Sequence, residues 1–161
     1  MTDYYEECLQ KGLEYQDFIL DQLRRMDGMP IFLGAYGSKK YQYAKGESPS
    51  GLEIKFDDKL KKTNNLFIEV KEKTDATNEN FVPSGIMRND NSWLYLIGDY
   101  EQAFIFSRKV LRAACYEENS HIELKPARQG TAWGYVFPIK YVLNHSFLLA
   151  KHIVFNGSDK N

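Results

Sequence analysis

The sequence predicts an α+β fold carrying a mixed or mostly antiparallel sheet. The prediction rests on an amphipathic helical period at the N-terminus, a run of short segments with two-residue alternation after it, and strands and helices intermixed toward the C-terminus. No internal repeat or low-complexity stretch interrupts this order.

Asp3–Met26 is predicted helical, because Asp3 and Glu6 stand in capping-box relation and Cys8, Tyr15, Phe18, Ile19, Leu23 and Met26 recur on one face. Asp27-Gly28 stops it. The period then becomes strand-like over Ile31–Tyr36 and Lys39–Lys45, where Tyr41 and Tyr43 alternate with polar or small neighbours, and Gly46–Gly51 is a turn. Leu52–Asp57 and Leu66–Lys73 are the clearest strands. Leu52, Ile54 and Phe56 point one way on the first, as Ile68 and Val70 do on the second. Lys59–Asn65 is expected to join them as an antiparallel pair, since asparagine accepts the left-handed backbone of a turn.

Thr74–Asp90, polar and interrupted by Pro83 and Gly85, reads as a long loop forming a functional lip. Trp93–Ile97 and Ala103–Phe106 follow as strands around a Gly98-Asp99 turn, and a helix runs from about Ser107, its N-cap, to Cys115. Short strands near His121–Leu124 and Ala132–Phe137 precede a last helix over Tyr141–His152. Residues 1–155 form a single domain on this reading, and 156–161 a flexible tail.

Composition narrows the function classes. With 161 residues, 43% hydrophobic and 27% charged, the chain has the make-up of one globular domain. Twenty-one basic and 22 acidic side chains give a net charge of -1, so no global positive field draws it to nucleic acid or membrane, and any polyanion site must be local. No apolar run approaches the roughly 20 residues of a membrane span, and the acidic N-terminus is unlike a signal peptide, which predicts no membrane partner and a cytoplasmic location. Cys8 and Cys115 form no Cys-x-x-Cys pair and His121, His145 and His152 have no zinc spacing. Periodicity puts both cysteines on apolar helix faces, as core residues. Trp133-Gly134-Tyr135 reads as a core strand.

Charge is nonetheless uneven. Seven acids face three basic residues through Pro30, whereas Lys39–Lys73 holds nine lysines against six acids. On Leu52–Asp57 the apolar side is clean, so Glu53, Lys55 and Asp57 share the opposite side. Across the expected hairpin Glu69 and Lys71 would stand opposite Glu53 and Lys55, about 4.5–5.5 Å apart at Cβ, with Glu47 just before the strand. Clustered carboxylates with a lysine suit a divalent cation used in phosphodiester hydrolysis. The same alternation also describes a solvated strand face with weak cross-strand ion pairs. Glu-x-Lys alone is uninformative: about one is expected by chance, and the chain has three, at 53–55, 69–71 and 123–125.

The ordered combination is more specific. Gly51-Leu-Glu-Ile-Lys-Phe-Asp57, Thr63-Asn-Asn-Leu-Phe-Ile-Glu69, Pro83-Ser-Gly-Ile86 and the strand Trp93–Ile97 resemble a phage-type group within the PD-(D/E)xK nuclease superfamily, and Ala103–Leu111 resembles that group's next strand and helix. The resemblance spans roughly Lys11 to Cys115. It implies a restriction endonuclease-like core, α/β/α-like, with an N-terminal helix and flanking helices around a central mixed or antiparallel β-meander, in a bacterial or phage-encoded protein.

It further implies a metal-dependent nuclease acting on DNA in preference to RNA, with Mg²⁺ or Mn²⁺ as cofactor. Glu53 and Lys55 match the Glu-x-Lys, Glu47 the preceding acid, Glu69 the glutamate that closes the second run, and Glu14 the first-helix glutamate. Glu47, Glu53, Glu69 and Glu14 are then the metal-ligand set, with Lys55 orienting or deprotonating the attacking water. The alternative assignment to 69–71, with Asp57 or Asp58 upstream, stays open. Lys39, Lys40, Lys71 and Arg88 are candidate phosphate contacts and Tyr43 a stacking residue. The sequence departs from the group where Asn64 replaces a turn glycine and where Ser92-Trp93 replaces Ala-Asp, unless Asp90 substitutes. A catalytically inactive nuclease fold serving as a DNA-binding or protein-interaction module is the competing reading, and a homodimer is open to either.

Overall fold

The computed structural model describes residues 2–26, 39–117 and 121–155. Ile31–Tyr36 and the 156–161 tail lie outside the described residues. The first helix, α1 (Thr2–Arg25), forms where the apolar period predicts it. Then come α2 (Lys39–Lys45), β1 (Leu52–Phe56), α3 (Leu60–Thr63), β2 (Asn65–Glu72) and β3 (Val82–Pro83). A 3₁₀ turn at Gly85–Met87 leads to β4 (Leu94–Gly98), β5 (Gln102–Ser107) and α4 (Arg108–Tyr116). The chain continues through β6 (Glu123–Ala127), β7 (Ala132–Pro138), α5 (Ile139–Asn144) and β8 (Lys151–Val154).

The α+β class holds, but the strands divide between two four-stranded sheets. One has the order β1-β4-β5-β8, with β1 parallel to β4 and the other pairs antiparallel; the second, β3-β2-β7-β6, is antiparallel throughout. Alternation along the strands buries both faces of the first sheet. Leu52, Ile54, Leu96, Ala103 and Ile105 pack with Tyr15, Ile19, Leu20 and Leu23 of α1. Tyr95, Ile97, Phe104 and Phe106 face the other way, joining Leu66, Ile68 and Val70 of β2, Phe137 of β7 and Leu111 of α4. Glu53 pairs in register with Tyr95, so it points into this second layer.

The expected hairpin between β1 and β2 does not form. Their link buries Leu60 completely in a helical turn, and the Asp57 carboxylate ties that turn by accepting the Lys59 and Phe67 amides at 3.1 and 3.0 Å. The chain thereby passes from one sheet to the other. Asn64 ends the turn at φ 55°, ψ 30°, the left-handed conformation expected of it.

Other expectations are corrected as well. Lys39–Lys45 is helical, because Lys, Gln and Ala favour helix and two alternating tyrosines are too short a pattern to decide; Gly46, at φ +102°, ends it. The helix predicted over Tyr141–His152 stops at Asn144, and His152 lies in β8. The residues between them, 145–150, form a turn and irregular backbone, so the apolar run 147–150 does not continue the helix. Thr74–Asp90 is not wholly irregular, since it contains β3 and the 3₁₀ turn. Ser107 occupies the N-cap position of α4 without a side-chain capping bond. Cys115 is buried as expected, but Cys8 is exposed, and Trp133 is only half-buried, beside Lys71.

Left-handed geometry at Asn64 makes Asn64→Ala cost about 1 kcal/mol, while Asn64→Gly should stay within a few tenths of wild type. Urea unfolding midpoints check this, and equal midpoints for alanine and glycine would contradict it.

Candidate functional site

The two-residue repeat of β1 sends Glu53 inward at 0% exposure. Lys55, on the same side and nearer the edge, keeps 40% of its side chain accessible and places Nζ 3.0 Å from Glu53 Oε1. Glu47 joins them from the bend after α2. It is 5% exposed, and its Oε2 accepts the Ile54 amide at 3.0 Å. Neither Glu53 oxygen nor Glu47 Oε1 has a hydrogen-bond partner, so the Lys55 contact is an ion pair without hydrogen-bond alignment.

Electrostatics follow from this crowding. Burial, reinforced by Glu53 and opposed by Lys55, pushes the Glu47 carboxyl up to about 7. Burial works against the Lys55 charge, yet Glu53 and then Glu47 hold its pKa above the ordinary lysine value. Tyr95 is raised well above its usual value by burial and then by Glu53, Glu69, Glu47 and Asp57. Glu53 comes from β1 in the first sheet and Glu69 from β2 in the second, not from two arms of one hairpin.

A β-bulge then separates Glu69 from Lys71. The register of β2 against β7 shifts between Glu69↔Gly134 and Lys71↔Trp133, one extra residue that reverses the side on which later side chains fall. Glu69 and Glu72 consequently share one cation: Arg128 Nη2 lies 3.2 Å from Glu69 and Nη1 3.5 Å from Glu72. Lys71 goes elsewhere, with Nζ 5.1 and 5.4 Å from the ring centres of Phe81 and Trp133. Of the three Glu-x-Lys pairs, 123–125 is an exposed ion pair, 69–71 is split by the bulge, and only 53–55 places a buried acid against its lysine.

The loop that closes the site is tied from beneath. Arg108, buried on α4, donates Nε to the Ile86 carbonyl at 2.8 Å and Nη1 to the Ser92 carbonyl at 2.8 Å, and it also bonds Asp90 and the Arg88 carbonyl. Arg112 donates to the same Ile86 and Arg88 carbonyls. Asp90 accepts Arg88 Nε at 2.6 Å and the Ser92 amide at 3.0 Å. Although burial opposes ionisation, these bonds hold the Asp90 carboxyl down at about 2. Both Asp90 oxygens are therefore engaged within the loop. Burial works against the Arg88 charge, yet the Asp90 bond, and after it the charges of Glu53 and Glu47, hold its pKa above the ordinary arginine value.

Other expected residues are not brought together with this cluster. Glu14 is exposed on α1 and bonded to Gln10 at 3.0 Å. It acts on the Tyr100 hydroxyl, and Tyr100 packs on Phe56 at the far end of β1. Lys40 is exposed on α2, while the side chains of Lys39 and Tyr43 lie outside the described residues. Among the described residues no group of three His, Cys, Asp or Glu is arranged to hold a metal ion. No described helix is long and apolar enough to cross a membrane. Sequence reasoning missed Tyr95, Arg108, Arg112, Glu72 and Arg128, whose roles arise from cross-strand register and the bulge and left no local motif. Comparison with protein-family models, with curated proteins and with solved structures finds no match.

Glu47 carries a pH prediction for the protein in EDTA. Its folded pKa, about 7, exceeds the reference value of 4.5, so the folded state binds the proton more tightly. Glu47's contribution is fully favourable below about pH 4.5, declines as pH rises through 7, and amounts to about 3 kcal/mol across that window. Glu47→Gln should gain on wild type over this range in urea unfolding; parallel pH profiles would refute the assignment. Arg108→Met should cost about 3–5 kcal/mol, because Asp90 and several carbonyls lose a buried partner. A loss below about 1 kcal/mol would show that the loop does not depend on it.

Proposed function

We propose that this protein is a metal-dependent nuclease that hydrolyses phosphodiester bonds of DNA, built on a restriction endonuclease-like core with Glu47, Glu53 and Lys55 at its centre. The observation that carries the proposal is the fully buried Glu53 carboxylate, ion-paired to Lys55 at 3.0 Å with no hydrogen-bond partner aligned on either oxygen. A fold that only needed a stable sheet would gain nothing from leaving such a group unsatisfied. The resemblance of residues 51–69 and 83–86 to the PD-(D/E)xK pattern points the same way.

Oxygens without partners suit a hard cation, and Mg²⁺ commonly takes one or two carboxylates and completes its shell with water. Glu47 Oε1 and the Glu53 oxygens would hold Mg²⁺ or Mn²⁺, with Glu69 as an accessory acid once freed from Arg128. The bound ion would supply an acidified water and balance charge on the phosphoryl oxygens. Lys55 is held as an ammonium, so it orients the water or phosphate and contributes charge; it does not accept the proton. Glu47, near 7, is the group able to exchange a proton around neutrality. Arg88, whose charge Glu53 and Glu47 help to stabilise, would meet a phosphate oxygen. The absence of a three-carboxylate group among the described residues is what favours the inactive-module reading.

The test is cleavage of single-stranded, duplex and branched DNA with Mg²⁺ or Mn²⁺, beside thermal melting with and without the ion. Cation-dependent cleavage and a raised melting temperature are expected. Lys55→Ala should lower the rate by about two orders of magnitude, and Glu53→Gln should abolish both effects. Neither cleavage nor a shift in melting temperature in the wild type would leave the inactive-module reading.

A further inference from the structure

An open cavity of about 300 Å³ lies at the start of α4, lined by Ser92, Trp93, Ser107, Arg108, Lys109 and Arg112. Its lining holds three cationic side chains and no carboxylate. Asp90 offsets Arg108, but among the described residues no carboxylate lies within ion-pair distance of Lys109 or Arg112, and Arg112 is bonded only to carbonyls. The nine-residue helix also directs its positive end here, and Ser107 does not cap it with its hydroxyl. Lys109 is exposed on the first turn of the helix, inside this lining. Positive charge gathered at a helix start in an open cavity describes a seat for an anion.

The neighbouring aromatic narrows the anion. Trp93 is 61% exposed, yet its ring is held in place by an Nε1–H bond to the Ser50 carbonyl at 2.8 Å. An exposed indole fixed beside a phosphate seat is a stacking platform for a base, the combination used to bind single strands without sequence preference. Position supports the same ligand. Trp93 donates its backbone amide to Gly51 at 2.9 Å, so the cavity borders the segment between Glu47 and β1. The Arg108-tied loop carries both Arg88 and the Ser92-Trp93 pair that lines the cavity.

We propose that this cavity binds a phosphate of single-stranded DNA, with the adjoining base stacked on Trp93. The site needs no metal ion and stands apart from the chemistry proposed above.

Fluorescence anisotropy of a labelled eight-nucleotide oligothymidylate, titrated with the full chain in EDTA, tests it without dependence on cleavage. Saturable binding is expected, weakened about tenfold by Trp93→Ala and to a similar extent by Arg112→Gln. Lys109→Gln should also weaken binding while leaving the urea midpoint unchanged, since Lys109 is exposed and takes no part in tying the loop; it keeps the test valid if Arg112→Gln perturbs the loop. Inorganic phosphate and a phosphoserine peptide should compete only at far higher concentration. The proposal is overturned by an absence of saturable binding, by competitors as effective as the oligonucleotide, or by Trp93→Ala and Lys109→Gln both binding like wild type.

Discussion

The architecture turns on one costly choice, the burial of an acid between two sheets. Glu53 sits on the core-facing side of β1 in register with Tyr95, where an isolated charge would be prohibitive. Lys55, two residues on and still in touch with solvent, supplies the compensating charge. Glu47, brought in by the bend that enters β1, shares this lysine and meets only part of its own need, through the Ile54 amide. The result is two buried acids beside one ion-paired lysine, with three carboxylate oxygens lacking a hydrogen-bond partner.

Around that centre the structure uses arginines as ties. Arg108 and Arg112 gather the carbonyls of the loop from Ile86 to Ser92 and fix where Arg88 and Trp93 emerge. On the other side Arg128 bridges Glu69 and Glu72 from a hairpin turn in which it and Gln129 adopt positive φ. That conformation is unusual for both residue types. Its placement against the acids of β2 links local backbone strain to the charge cluster.

Much of this was legible from spacing. The face assignment on β1 follows directly from two-residue alternation, and the αL role of Asn64 from the known tolerance of asparagine. The β4–β5 hairpin was marked by its Gly-Asp turn. What spacing could not provide was partner choice. A strand's alternation says which side is apolar but not which strand lies next to it, so β1 and β2 read equally well as a hairpin. Leu60 decided otherwise, because its burial demands a helical turn and carries β2 into the second sheet. The separation of Glu69 from Lys71 was illegible for a related reason: a bulge is a property of two strands, visible only once β7 is in place. Arg108 carries no sequence signal, since its place in the first turn of α4 does not show which carbonyls it gathers.

Coupling between cation and proton at the buried acids offers the most direct measurement of the central claim. A cation held by Glu47 and Glu53 must displace the proton that Glu47 carries near neutrality. Calorimetric titration with Mn²⁺ at pH 7, repeated in two buffers of different ionisation enthalpy, reads that release. The account predicts saturable binding with about half a proton released per ion, and loss of both in Glu53→Gln. Binding without proton release, or binding unchanged in that variant, would contradict it.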